Sequence, residues 1–300
     1  MLNNIRKLTW PINAFKLLYA QKKVVKDATR VLNDYVHVNH SNLEVECEKW
    51  LAQKRNRGAM VLTKTITETI CDLENIDFNS KEKELSYFIA AAARMADDVT
   101  DDEMFSSIKI NVLTNYDKQM TKFPELNLFY AINQKLITDL SSTFINEHKV
   151  IINKYNEAQR DGSKLFNSNS KEEVKDIRER QGGYSALILY FLTARNQKDI
   201  LEEFKGVYAP LEALPKSKLQ ALYNCGAWLI RLDDLWDIEE DKREGRKQLA
   251  SEGLTNWKQF REESEYVFKG LKQFYSSQKI DKMEAQFELV TNPLVVKLFS

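Results

Sequence analysis

Helix breakers are scarce in this chain, with nine Gly and five Pro among 300 residues. Gly and Pro are the residues that end helices and shape tight turns. Their scarcity favours long helices over a turn-rich sheet fold. Apolar residues recur at three- and four-residue spacing over long segments, the pattern of one buried helix face, and no run alternates with period two. Helices are predicted over 10–36, 41–75, 80–98, 103–120, 125–160, 170–196, 199–208, 215–242, 255–277 and 280–290. Ser41, Ser80 and Thr255 stand where N-caps belong, and Pro11, Pro124 and Pro215 lie near proposed starts. The polar run Asp161–Ser170 is the predicted loop. With no repeat and no low-complexity linker, residues 1–300 are expected to form one all-α domain: an antiparallel bundle around a central apolar cavity. Residues 1–40 would be an N-terminal helix, 41–250 the catalytic core and 251–300 the C-terminal helices.

Apolar residues make up 43% of the chain and charged residues 29%, enough to build a sizeable core. Lys+Arg and Asp+Glu are both 44, so there is no basic excess of the kind that marks a nucleic-acid protein. Cys47, Cys71 and Cys225 are scattered and lack metal-ligand spacing, which reads as reduced thiols. The first 23 residues read as an amphipathic helix, and no stretch approaches a transmembrane span. A cytoplasmic protein is expected, with room for peripheral membrane contact and for a homodimer.

The charge is neutral in sum and clustered in detail. Ala90–Glu103 reads AAAARMADDVTDDE and sets Asp97, Asp98 and Asp101 in the pattern D-D-x-x-D. Residues three and four apart share a helix face, where like charges repel. The dipole at a helix C-terminus disfavours anions further. Bound cations would offset both costs. Leu232–Leu249 reads LDDLWDIEEDKREGRKQL and repeats the pattern at Asp233, Asp234 and Asp237, with Glu240 and Asp241 one turn on. Arg243, Arg246 and Lys247 follow, and Gly245 is a helix stop. Each cluster alone fits a solvated acidic helix end. Two far apart on long helices suggest paired carboxylates that hold Mg²⁺, a hard cation suited to carboxylate and phosphate oxygens. Arg and Lys beside them suit phosphate oxygens directly.

These residues resemble the class I isoprenoid (terpene) synthase superfamily. Asp97-Asp98-x-x-Asp101 is similar to its first aspartate-rich motif. Residues 233–246, DDLWDIEEDKREGR, resemble the second motif of the squalene/phytoene synthase branch and of the bacterial class IB large-terpene synthases of the tetraprenyl-β-curcumene type. The latter is the better fit, through Gly226-x-Trp228 and the D-x-E-E-D segment Asp237–Asp241. ERQGGYSALILYFL at 179–192 is similar to the Gly/Ser-interrupted helix that lines the cavity in those families, and AQKRNRGAM at 52–60 to their polar-then-Gly helix.

The resemblance implies the bundle fold and two or three Mg²⁺ ions held by Asp97, Asp98, Asp101, Asp233, Asp234, Asp237, Glu240 and Asp241. Asp97, Asp98, Asp101, Asp233 and Asp237 would be the catalytic carboxylates. It also implies a prenyl diphosphate substrate, with Arg178, Arg180, Arg243, Arg246 and Lys247 on the diphosphate. Arg55 and Arg57 are the only candidates for a second diphosphate site, which favours a one-substrate lyase over a prenyltransferase. A non-catalytic helical interaction protein and a metal-dependent hydrolase are the readings from other classes.

Overall fold

The computed structural model describes residues 2–101, 110–114, 122–162, 165, 170–194, 214–245 and 247–290. For 2–19, 100, 101, 240, 244, 286, 289 and 290 it describes the backbone alone. The described residues form an all-helical protein of twelve α-helices and one 3₁₀ turn, without strands. They are α1 (Leu2–Asn39), α2 (Glu44–Ala52), α3 (Lys54–Glu74), α4 (Ser80–Asp101), α5 (Pro124–Leu140), α6 (Ser142–Glu147), α7 (Lys149–Gly162), α8 (Lys171–Thr193), α9 (Lys218–Trp236), α10 (Ile238–Glu244), α11 (Trp257–Leu271) and α12 (Ser277–Val290).

Several predicted helices divide where no Gly or Pro announces it. The 41–75 segment breaks at Gln53, whose ψ of 132° is extended. The 125–160 segment breaks at Ser141, with φ 71°, and again at His148. The 215–242 segment breaks at Asp237, although Asp237 N–H still donates to Asp233 O (3.1 Å) and Asp241 N–H to Asp237 O (2.8 Å). Conversely, α1 runs through Pro11, and α8 continues unbroken through Gly182-Gly183, so the predicted interruption there is absent. Residues 110–114 of the predicted 103–120 helix are irregular; the rest of that helix and the whole 199–208 helix lie outside the described residues.

Side-chain caps shift by one residue from two of the predicted positions. Asn79 rather than Ser80 accepts from the first turn of α4 (2.9 Å from Lys81 N–H), and Asn256 rather than Thr255 caps α11. Ser170 and Ser217 cap α8 and α9 in the same manner. Pro124 opens α5, and Gly245 closes α10 at φ 72°.

One hydrophobic core runs from Ala28 of α1 to Ile280 of α12. Its centre is the antiparallel pair α8–α9, the most extensively packed helices of the molecule. Their backbones touch at Gly182 and Gly226: a Cβ on either would lie 2.3 Å from the other's carbonyl oxygen. Around this pair α7 packs on α8 and α11 on α9, while α4 packs on α3 and α5. Among the described residues α4 makes at most slight backbone approach to α8 or α9. The first acidic motif therefore ends a helix with little backbone contact to α9, where the second motif begins.

Candidate metal and diphosphate site

The first motif grows from a buried helix. Leu85–Ala92 of α4 is closed to solvent, and exposure returns at Ala93, Arg94, Asp97 and Asp98, one stripe at three- and four-residue spacing. Arg94 answers the repulsion within the motif: Nη1 donates to Asp97 Oδ2 (2.6 Å) and Nη2 to Asp98 Oδ1 (2.7 Å). Asp98 also accepts from Trp50 Nε1 (3.3 Å) and pairs with Arg55 Nη2 (3.1 Å). Arg55 thus belongs to the first motif and not to a distant second diphosphate site, and Arg57 is exposed elsewhere on α3. Of Asp101 the backbone alone is described.

The second motif is built differently. Asp234 is fully buried, its carboxylate 1% exposed. It pairs with Arg178 of α8 and accepts the Leu249 N–H (2.9 Å). Both oxygens are engaged, so Asp234, expected among the metal ligands, is an internal anchor for Arg178 and for the chain after α10. Asp233, its neighbour in sequence, is turned by about 100° and faces outward from this pair. Its side chain keeps 53% of its surface accessible while lying 3.5 Å from Arg178 Nη2. Arg178, itself largely buried, closes one side of it and leaves the other to solvent. Desolvation is the first cause that pushes the Asp233 pKa up to about 6; Asp234 and Asp237 add to the rise, and Arg178 and Arg94 oppose it.

Arg178 and Arg94 place the two motifs within electrostatic reach of each other. Burial disfavours the charge on Arg178, but Asp234, Asp233 and Asp97 outweigh it and raise its pKa. Arg94 in turn acts on Asp233. Carboxylates 136 positions apart in sequence, Asp97 and Asp233, therefore share the field of the same two guanidinium groups.

The other predicted residues divide. Arg180 does not join Arg178: two residues along a helix is about 200° around it. Its guanidinium pairs with Asp161 (2.9 Å) and Asp176 (2.8 Å) on a different side of α8. Asp237 is exposed at the break before α10, Asp241 is buried, Arg243 is exposed and Lys247 half-buried. The break at Asp237 means that the stripe Asp233–Asp237–Glu240–Asp241 is not one straight helix face. The Glu240 side chain and all of Arg246 lie outside the described residues. Among the described residues no three His, Cys, Asp or Glu side chains converge closely enough to hold an ion by themselves.

Sequence reasoning missed the polar partners behind Arg178. Gln181, one turn beyond Arg178, accepts from Arg178 Nη1 (2.9 Å) and donates to Gln159 of α7 (3.4 Å), which donates to Ser185 (3.3 Å). Arg178, Gln181, Ser185, Ile188 and Leu192 follow a 3-4-3-4 spacing and line one face of α8. Asp97, Ala93 and Ile89 do the same on α4, and Gln159 and Tyr155 on α7. Each face grades from charged or polar at one end to apolar at the other.

At the apolar end Ile89, Ala93, Ile188 and Leu192 meet Tyr155 and Leu136 of α5. They enclose a hollow with about 10 Å³ of space for water centres, and Val112 and Leu113 close it. That is room for roughly one water. Burial pushes the Tyr155 phenol up, and Asp97 adds to the shift, so hollow and first motif are neighbours. Tyr184 and Tyr190 of α8 pack away from the hollow: Tyr184 edge-on to Tyr223 (5.2 Å) and Tyr190 beneath Lys218 (5.4 Å). Trp228 stacks on Phe260 (4.8 Å) in the core. Among the described residues no helix is long and apolar enough to cross a membrane. No family model, no curated protein and no solved structure matches the chain.

Proposed function

We propose that this protein is a Mg²⁺-dependent terpene synthase that ionises a linear prenyl diphosphate. The observation that carries the reading is the grading shared by α4, α7 and α8, apolar around the hollow and charged or polar toward Arg94, Asp97, Gln159 and Arg178. A prenyl diphosphate has the same grading, an anionic head on a hydrocarbon tail.

The donor set fits Mg²⁺ in one particular mode. The acidic motifs offer only oxygen ligands, and no three of the described side chains form a cage. Mg²⁺ commonly takes one or two carboxylates and completes its shell with phosphate and water. Asp97, Asp98, Asp233 and Asp237 would hold it, with Asp101 and Glu240 as further ligands. When bound, the ion supplies Lewis-acid neutralisation of the leaving diphosphate. Arg178, already seated by Asp234 and Gln181, would donate to diphosphate oxygens in a bidentate manner. Arg94 is positioned to transfer its two hydrogen bonds from Asp97 and Asp98 to the same anion, freeing the carboxylates. Ile188, Leu192 and Ile89 would keep water from the carbon end, as an allylic cation requires.

Incubating the protein with geranyl, farnesyl or geranylgeranyl diphosphate, one at a time with Mg²⁺, tests this. We expect diphosphate release from a single allylic substrate, a hydrocarbon or alcohol by mass spectrometry, and none of either with EDTA. Release only when a second prenyl diphosphate is present would mean a prenyltransferase. An unrearranged alcohol carrying solvent oxygen would mean a hydrolase, and no turnover at all would leave a binding protein.

A further inference from the structure

The hollow is closed by a segment that has no counterpart in the helical pattern. Ile110–Thr114 is an irregular strap between two stretches outside the described residues. Val112 and Leu113 are 5% and 3% exposed, and their side chains form one wall of the hollow. The strap is not held by helix bonds. Two buried asparagines from different helices hold it instead. Asn156 of α7 accepts the Val112 N–H (2.8 Å) and donates to the Val112 carbonyl (3.0 Å). Asn133 of α5 accepts the Leu113 N–H (2.6 Å) and donates to the Thr114 carbonyl (2.8 Å). Arg160 adds a bond to the Asn111 side chain. The clamp satisfies backbone groups that burial would otherwise leave unpaired. It also holds Leu113 at φ 58°, in the left-handed region that a residue with a Cβ rarely adopts.

Resting on the reading above, we propose that Ile110–Thr114 is a plug. Val112 and Leu113 occupy the place of the substrate's hydrocarbon tail, and Leu113 sets how long a tail fits between α4, α7 and α8. Three observations carry this. The hollow sits at the apolar end of all three graded helix faces, where a tail anchored at Arg178 would arrive. Its present volume holds about one water, so a tail enters only if a wall moves. The strap is the one described wall element that is not a helix, and its inner residue sits in a strained conformation that release would relieve.

Leu113→Gly tests the plug. Gly adopts this φ without strain and removes the four side-chain carbons that wall the hollow. Val112→Ala trims the same wall while leaving every backbone bond of the strap in place. Farnesol carries the tail without the diphosphate, so its binding, followed by calorimetry, is independent of metal and turnover. We expect Leu113→Gly to bind farnesol at least tenfold more tightly than the unaltered protein and Val112→Ala to shift the same way by less. If the protein turns over prenyl diphosphates, the preference of kcat/KM should move toward a longer chain by a similar factor in Leu113→Gly. Unchanged farnesol affinity in a folded Leu113→Gly, or in Val112→Ala if the first does not fold, overturns the plug. Tightened farnesol binding without turnover of any diphosphate leaves the plug standing and removes the catalytic reading.

Discussion

Neighbouring aspartates in the second motif have opposite tasks. Asp234 is locked to Arg178 and to the Leu249 N–H, and removing either partner of such a buried pair costs about 3–5 kcal/mol. Asp233 is open to solvent on one side and held there at the expense of its own ionisation. Its pKa, raised above the ordinary carboxylate value of 3.8 to about 6, means that the folded protein binds this proton more tightly than the unfolded chain. The stability contributed by the neutral form is therefore full below about pH 4 and lost as pH rises through 6. In EDTA, Asp233→Asn should melt at a higher temperature than the unaltered protein at pH 7.5, with the gain disappearing at pH 4. A Tm difference that is the same at both pH values would contradict this picture of Asp233. The sequence displays both aspartates alike, because D-D carries no sign of which residue meets an arginine from another helix. Arg94 was legible beside Asp97 and Asp98 from its spacing. Trp50, Gln159 and Gln181 were not legible as partners of these residues, and Arg55 was read toward a second diphosphate site rather than toward Asp98, because their contacts depend on how helices cross.

At the scale of elements, α8 and α9 are joined by a ladder of reversed charges and a glycine crossing. Arg178 of α8 meets Asp234 of α9, while Glu179 of α8 meets Arg231 of α9 (2.6 Å), which also reaches Glu263 of α11 (2.8 Å). Sliding either helix by one turn would set these buried charges against the wrong partners, so the ladder fixes the register that seats Arg178. The crossing at Gly182 and Gly226 brings the backbones close enough for it. Gly182→Ala should cost about 1–3 kcal/mol or more, since overpacking a closed contact forces the backbones apart. Gly58, inside α3, makes the contrast: a Cβ there would meet nothing within 4 Å, and Gly58→Ala should stabilise by up to about 1 kcal/mol. Urea titration of both variants measures the two effects. Destabilisation by Gly58→Ala, or none by Gly182→Ala, would contradict these roles for the two glycines. Helix identity was written in the 3.6-residue pattern and in the scarcity of Gly and Pro. The breaks at Gln53, Ser141, His148 and Asp237 were not, because ordinary residues form them under the demands of packing.

At the scale of the whole molecule, the all-helical class followed from the sequence, whereas the way the two acidic segments lie relative to each other could only be expected from it. Spacing can place carboxylates on one face of one helix. It cannot say that α4 and α9 make little backbone contact while Arg178 and Arg94 act electrostatically on the carboxylates of both. If the proposed function holds, both motifs contribute to one diphosphate-binding event. Inorganic diphosphate titrated calorimetrically into the protein, with and without Mg²⁺, examines this without any assumption about the hydrocarbon. We expect saturable binding only with Mg²⁺, weakened at least tenfold by Asp97→Asn and separately by Asp233→Asn. Binding that is indifferent to Mg²⁺, or that survives the loss of either aspartate unchanged, would mean that the two acidic helices do not share a site.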